Sequence, residues 1–360
     1  MRNLIPSLLL LAASAVPAFA ADYPSVIRIG YPGVGYDGYS PVGTATASAI
    51  NTKGLLDDEF KKEGITFEWT YFPGAGPALN ESLANNIIDF ASGLGDLPAI
   101  VHYAGGFRTE LLASNYRGQN TYVVVPDDSR AQNLKDLIGK RVSLQKGTNV
   151  SLAWAKIVKD EGLTEDQFKE INLDPATSRG AIAAKDEDAY IGGTDVFPLV
   201  ARGVGRIVYS TAGRNPYLGR FSNLDVTETF EQKYPEIVQR FLNVWVKEAA
   251  WESNEDNRSA VFKLWAKNGE PVSDFKTDIG DGTLASHLSP LLDEQFYNHF
   301  NTAIKLSQDF RFIRNSFDLN VWVNDKYLKQ AIKNENLEGF WPEYDAKGNI
   351  KVAANTTTKQ

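Results

Sequence analysis

Residues 67–100 read FEWTYFPGAGPALNESLANNIIDFASGLGDLPAI, and this stretch decides the fold class. Across Gly64 to Phe72, Ile65, Phe67, Trp69 and Tyr71 fall on every second residue between polar ones, the period of a half-buried strand. Pro73-Gly74-Ala75-Gly76-Pro77 stops that strand, and Ala78 to Asn86 returns to helix. Ile88 to Ala91 is strand-like, Gly93 to Asp96 turns, and Pro98 opens a further helix. Proline is tolerated there because the first turn of a helix has no use for its missing N–H. Working back, Val26 to Gly30 is a strand. It runs into a glycine-rich aromatic loop, Tyr31 to Ser40, and then a helix, Thr44 to Lys53, closed by Gly54. Strand and helix thus alternate three times, which predicts a mostly parallel sheet with helices on its faces.

Working forward, a second α/β unit follows. Thr121 to Val125, Lys140 to Leu144, Phe168 to Asn172, Asp188 to Ile191 and Gly205 to Ser210 read as strands. Asn133 to Ile138, the segment after Asn149, Ser178 to Lys185 and Phe197 to Arg202 read as helices. The remainder is mainly helical: Phe230 to Ser253 as one long helix, Ser259 to Asn268, and Gln295 to Phe310. The chain after Trp341 is polar and reads as a frayed tail.

Met1 and Arg2, an apolar run from Leu4 to Val16, and Ala18-Phe19-Ala20 have the layout of a cleavable secretory signal with cleavage after Ala20. Pro17 and the small residues make a spanning helix a poor alternative, since that needs about 20 apolar residues. The chain has 37 basic and 45 acidic residues. Without residues 1–20, which hold one Arg and no acid, the charge is 36 − 45 = −9. With no basic stripe, nucleic acid is not an expected partner. There is no Cys, hence neither disulfide nor thiolate chemistry. Three His, at 102, 287 and 299, have no metal-ligand spacing, and no cofactor is expected. Catalytic motifs such as Gly-x-Ser-x-Gly or His-Glu-x-x-His are absent, which leans away from an enzyme.

Three places share one design, a strand, a small-residue turn and a helix start: Gly74-Ala75-Gly76, Gly95-Asp96 within the Gly93 turn, and Thr148-Asn149 after Gly147. Helix N-termini carry unpaired N–H groups and about half a positive charge. Several facing one cleft would hold an anion without a metal or a lysine. Taken singly each reads first as a plain turn, Thr148 and Asn149 equally as caps, and Asp96 as an N-cap rather than a ligand group, because a bare carboxylate repels an anion. Tyr36 and Tyr39 can wall an organic ligand or pack their own loop. Thr194-Asp195 after two glycines can cap the next helix or face ligand. Arg214 reads as a surface residue or as a bidentate partner of an oxyanion.

In this order the motifs resemble the type II periplasmic binding proteins of the aliphatic sulfonate, taurine and nitrate receptor group. The matching stretches are IRIGY, GLLDDEF, residues 67–100, NLKDLIGKRVSLQKGTN, YPEIVQRFLNVWVKEAAWESNEDN and SFDLNVWVND. The resemblance implies an α/β fold of two lobes with mixed sheets flanked by helices and two hinge crossovers. Lobe I would be 25–119 and 217–345, lobe II 120–216, and 346–360 a polar tail. It further implies a periplasmic solute receptor of an ABC importer. Such a receptor takes up sulfur as a small anionic solute in the interlobe cleft, acts as a monomer and delivers to an inner-membrane permease. In the family the acid head sits against helix starts that match Gly74-Ala75-Gly76, Gly95-Asp96 and Thr148-Asn149.

One departure bears on the ligand. Relatives of the sulfonate branch commonly carry Trp-Asp-Pro where this chain has Thr194-Asp195-Val196. Losing the indole is expected to enlarge the cleft or change its wall, so a bulkier organic anion is expected, an aryl or alkyl sulfonate or a sulfate ester rather than taurine. Nitrate gains little from an aromatic wall. A neutral or cationic pyrimidine precursor is the alternative that Asp96 and Asp195 keep open. The pyrimidine-synthesis enzymes of this fold rely on His- and Cys-rich chemistry.

Overall fold

The computed structural model describes residues 23–33 and 45–355; the signal segment 1–20 and the loop tyrosines Tyr36 and Tyr39 lie outside them. The first lobe is built from β1 (Val26–Pro32), α1 (Ala45–Lys53), α2 (Leu55–Glu59), β2 (Thr66–Phe72), α3 (Ala75–Ala84), β3 (Phe90–Gly95), α4 (Asp96–Ala104) and β4 (Thr109–Gln119). The chain then crosses into β5 (Tyr122–Pro126), β6 (Arg141–Leu144), α5 (Asn149–Asp160), β7 (Lys169–Asn172), α6 (Pro175–Ala184), β8 (Ala189–Gly192), α7 (Phe197–Ala201) and β9 (Gly205–Ser210). It returns as β10 (Arg220–Thr227), α8 (Glu228–Lys233), α9 (Pro235–Ser253), α10 (Arg258–Trp265), α11 (Val272–Ile279) and α12 (Leu284–Leu288). The last elements are α13 (Glu294–Asp309), α14 (Lys326–Asn334), β11 (Glu343–Tyr344) and β12 (Ile350–Val352).

The sheets have the orders β2-β1-β3-β10-β4 and β7-β6-β8-β5-β9. In the first, β1 runs parallel to β2 and β3, whereas β10 is antiparallel to β3 and β4. In the second, β6 runs parallel to β7 and β8, and β5 is antiparallel to β8 and β9. Each sheet is therefore mixed, because one strand enters it from a crossover. The two crossovers hold each other: Thr121 N–H donates to Thr211 Oγ1 at 2.9 Å, and Thr211 N–H donates to the Thr121 carbonyl at 3.0 Å. Each sheet has its own core. Phe90 stacks on Phe241 at 4.4 Å in the first, and Trp154 meets Phe168 edge-on at 5.0 Å in the second.

Several boundaries differ from the sequence reading. The helix expected to begin at Ala78 begins at Ala75, because Pro77 fits the first turn. β3 runs on through Gly93, expected as a turn. Gly93 has φ +76°, and a Cβ there would lie 2.8 Å from the Tyr31 ring. The long helix over 230–253 is two, α8 and α9, because Pro235 lacks an N–H and disfavours helix at Tyr234. Residues 343–352 pair as a hairpin rather than fraying. β4 and β10 carry no expected element: nearly every residue in them is buried, so neither shows polar alternation. Among the described residues no helix is long and apolar enough to cross a membrane.

Candidate ligand-binding cleft

A cavity of about 330 Å³ lies between the lobes, outside the carboxyl ends of the parallel strands where such sheets present ligand sites. One wall is made by helix starts. Ala75 has φ +52° and Gly76 packs so tightly on α4 that a Cβ would sit 2.3 Å from Pro98 Cγ. Opposite them, α5 begins at Thr148-Asn149. The Thr148 hydroxyl caps its own helix, accepting from the Val150 N–H at 3.3 Å and donating to the Gln145 carbonyl at 2.7 Å. The lobes touch here: a Cβ on Gly95 would lie 2.9 Å from Asn149 Cβ, and Gln145 Nε2 donates to the Pro73 carbonyl at 3.2 Å.

Ala75, Gly76, Gly95, Thr148, Asn149, Thr194 and Asp195 all line this cavity; the other three described site candidates do not. Gly74 precedes the first turn of α3, facing Ala78. Asp96 is fully buried beneath α4, where Oδ1 accepts from the Leu97 N–H at 2.7 Å and Oδ2 from His299 Nε2 at 2.8 Å. Burial is the strongest influence and opposes its charge, but the His299 hydrogen bond, the charges of His299 and Lys156 and the Leu97 N–H together outweigh it and hold the carboxyl below its ordinary value. Burial also keeps His299 below its ordinary value. Arg214 is half exposed, paired with Glu161 at 3.0 Å and laid 4.3 Å over the Tyr209 ring.

The guanidinium in the cleft is Arg220, six residues on, at the start of β10. Nη1 donates to Asn149 Oδ1 at 3.3 Å and Nη2 to the Asn120 carbonyl at 2.5 Å. Nε is buried with no partner, and among the described residues no carboxylate lies within ion-pair distance. Two arginines flank the second crossover, and no spacing rule in the sequence separates them.

The far wall comes from the return segment, where the sequence carries no motif. It holds Trp265, Glu270, Phe275 and Asp278, joined by Tyr116 of β4. Asp278 Oδ1 accepts from the Tyr122 hydroxyl at 2.7 Å and from Asn120 Nδ2 at 3.1 Å. Glu270 reaches across the cleft to accept from the Thr194 hydroxyl at 3.0 Å. Burial, reinforced by the Asp195 charge, pushes its carboxyl up to about 7. Asp195 is fully engaged, by the Gly193 N–H, the Tyr190 hydroxyl and Arg179. No group of three or more His, Asp or Glu among the described residues could hold a metal ion.

Residues 60–253 match the family model described as NMT1/THI5 like. The chain belongs to the NMT1/THI5-like family. Within it, the chain is 25% identical over 293 residues to a Bacillus subtilis (strain 168) protein whose name marks it as a candidate aliphatic sulfonates-binding protein, covering 80% of this chain and 85% of that one. A solved structure of a periplasmic sulfonate-binding protein from Methylobacillus flagellatus KT superposes with a TM-score of 0.75 at 29% identity, over 89% of this chain and 97% of that one. A desulfurization enzyme shares the fold with a TM-score of 0.64 at 16% identity, over 86% of this chain and 99% of that one. The two-lobed fold with mixed sheets is thus that of periplasmic binding proteins, and it hosts enzymes as well.

Proposed function

We propose that this protein is the extracytoplasmic solute receptor of an ABC importer. It binds a small organic anion, a sulfonate or sulfate ester, in the interlobe cleft and delivers it to a membrane permease. Residues 1–20 act as a cleaved export signal, the site of action is the periplasm, and the receptor works as a monomer without catalysis. The observation that carries this is Arg220. Its guanidinium has an unpartnered Nε and faces the α5 start across Asn149. An oxyanion head would complete its hydrogen bonding and take further N–H donors from the starts of α3 and α5. The two relatives named for sulfonates, spanning most of this chain, support the choice of anion. The cavity volume falls at the lower end of the range for organic ligands, about 300–1,000 Å³, which favours a tail larger than that of taurine and disfavours nitrate.

The test is thermal unfolding of the chain lacking residues 1–20 against taurine, alkyl and aryl sulfonates, sulfate esters, nitrate and pyrimidine vitamin precursors. A ligand at 100 times its Kd adds roughly 2.7 kcal/mol. Stabilisation by organic sulfonates or sulfate esters supports the reading. Stabilisation by a pyrimidine alone would keep a receptor and overturn the anion. Taurine binding much more tightly than larger sulfonates would overturn the tail size.

A further inference from the structure

Among the described residues the cavity lining has one guanidinium, Arg220, against three carboxylates, Asp195, Glu270 and Asp278. Asp195 is matched by Arg179 at 3.3 Å. Among the described residues neither Glu270 nor Asp278 pairs with a cation; their hydrogen bonds come from neutral groups, Thr194, Tyr122 and Asn120. Arg220 is likewise unpaired, so the unmatched charges of this lining are of both signs, with the two carboxylates in excess of the one guanidinium wherever Glu270 is ionised; a solute carrying only negative charge would match the guanidinium and leave the carboxylates without a partner. These two carboxylates stand on the aromatic wall. Trp265 meets Phe275 edge-on at 5.5 Å and Tyr116 at 6.3 Å, and Asp278 follows Phe275 by one turn of α11. Tyr116 is 4% exposed, and its hydroxyl bonds to no described residue although it lines the cavity. Aromatic faces beside carboxylates favour an organic cation, through the ring quadrupole and the charge together.

We propose that the ligand is a zwitterion, with its acidic head at Arg220 and the α5 start and its ammonium head against Tyr116, Trp265 and Phe275, between the Glu270 and Asp278 carboxylates. This rests on the cleft being an organic-anion site and specifies the other end of the ligand. The Tyr116 hydroxyl and the Glu270 carboxylate accept from an N–H where the amine is protonated; a quaternary ammonium uses the rings and the charge alone.

The experiment is calorimetric titration of the folded chain at pH 8 with two matched pairs. The first is 3-(trimethylammonio)propane-1-sulfonate and 4,4-dimethylpentane-1-sulfonate, which differ by nitrogen for carbon. The second is 3-aminopropane-1-sulfonate and butane-1-sulfonate, so that methyl bulk does not decide the result. The zwitterion of at least one pair is expected to bind roughly tenfold or more tightly than its neutral-tailed partner, the scale of a desolvated cation–π contact aided by charge. Glu270→Gln, which keeps an acceptor for Thr194, is expected to shrink that ratio severalfold, as removal of one charge beside the ammonium implies. Equal affinity within both pairs, or tighter binding of the neutral tails, overturns the zwitterion and leaves the anion reading standing. No binding by any of the four overturns both.

Discussion

Replacing Arg220 by Met keeps a long apolar stem and removes the one guanidinium that lines the cleft among the described residues. In the empty cleft Nη1 and Nη2 are already engaged by Asn149 and Asn120, and Nε is buried and unpartnered. An oxyanion held by this guanidinium adds at least one charge-assisted hydrogen bond, which contributes about 1.5–3 kcal/mol. The expected loss of affinity is therefore at least roughly tenfold and up to about 150-fold. Arg220→Lys retains the charge without the planar fork and is expected to fall between wild type and Met. The same change frees the Asn120 carbonyl and the Asn149 amide oxygen, about 1 kcal/mol each in stability. Titration calorimetry should accordingly be run far below the melting temperature, with unfolding of the ligand-free variant recorded alongside. Binding of the strongest sulfonate of the panel by Arg220→Met within threefold of wild type would refute a ligand-holding role for this guanidinium. So would an affinity loss that vanishes once the variant's unfolded fraction is subtracted.

Three further outcomes follow from particular contacts. Thr148→Ala should lower stability by about 1 kcal/mol, the usual loss of an N-cap, with affinity nearly unchanged because the hydroxyl is committed to Val150 and Gln145; chemical denaturation and titration together separate the two. Gly95→Ala places a methyl 2.9 Å from Asn149 Cβ and should prop the lobes apart, weakening ligand binding while the melting temperature of the empty protein moves little; unchanged affinity would show that the contact is not needed for closure. Glu252 is fully buried with its carboxyl pushed up to about 8 by burial and then by Glu248. Its folded pKa lies above the unfolded one, so its stabilising protonated form is complete below about 4.5 and is lost as pH rises through 8. Glu252→Gln keeps an acceptor for Trp265 Nε1, now at 2.9 Å, and should melt higher than wild type at pH 8.5 but not at pH 4.5. An identical pH dependence in the two proteins would contradict the burial argument.

Much of the fold was legible along the chain. Period-two runs such as Phe67 to Tyr71 and glycine-closed helices such as Ala45–Lys53 are local, and a local pattern survives without knowledge of the partner. The small-residue turns at Gly74-Ala75-Gly76 and Gly147-Thr148-Asn149 were legible for the same reason, since a turn after a strand is written in consecutive residues, although the helix after the first begins three residues earlier than expected. Asp96 was open to two readings, helix cap or ligand group, and it occupies neither place: Gly95 holds the cap position, Asp96 is the first residue of α4 and does not line the cavity, and its carboxylate, with no cation beside it in sequence, meets His299, 203 residues away.

What the sequence determined alone was therefore the alternation of strand and helix, the three small-residue turns ahead of helices, and the absence of thiol chemistry. Tertiary structure decided the rest. β4 and β10 are buried on both faces, so their residues lose the polar alternation by which a strand is recognised. Arg220 rather than Arg214 entered the cleft because β10 pairs between β3 and β4, while Arg214 found Glu161 on the outside. The far wall joins Tyr116, Trp265, Glu270 and Asp278, which share no motif and meet only when α10 and α11 pack beside β4. Periodicity reports what a residue's chain neighbours demand; a binding wall is made by residues distant in sequence, and only folding sets their chemistry side by side.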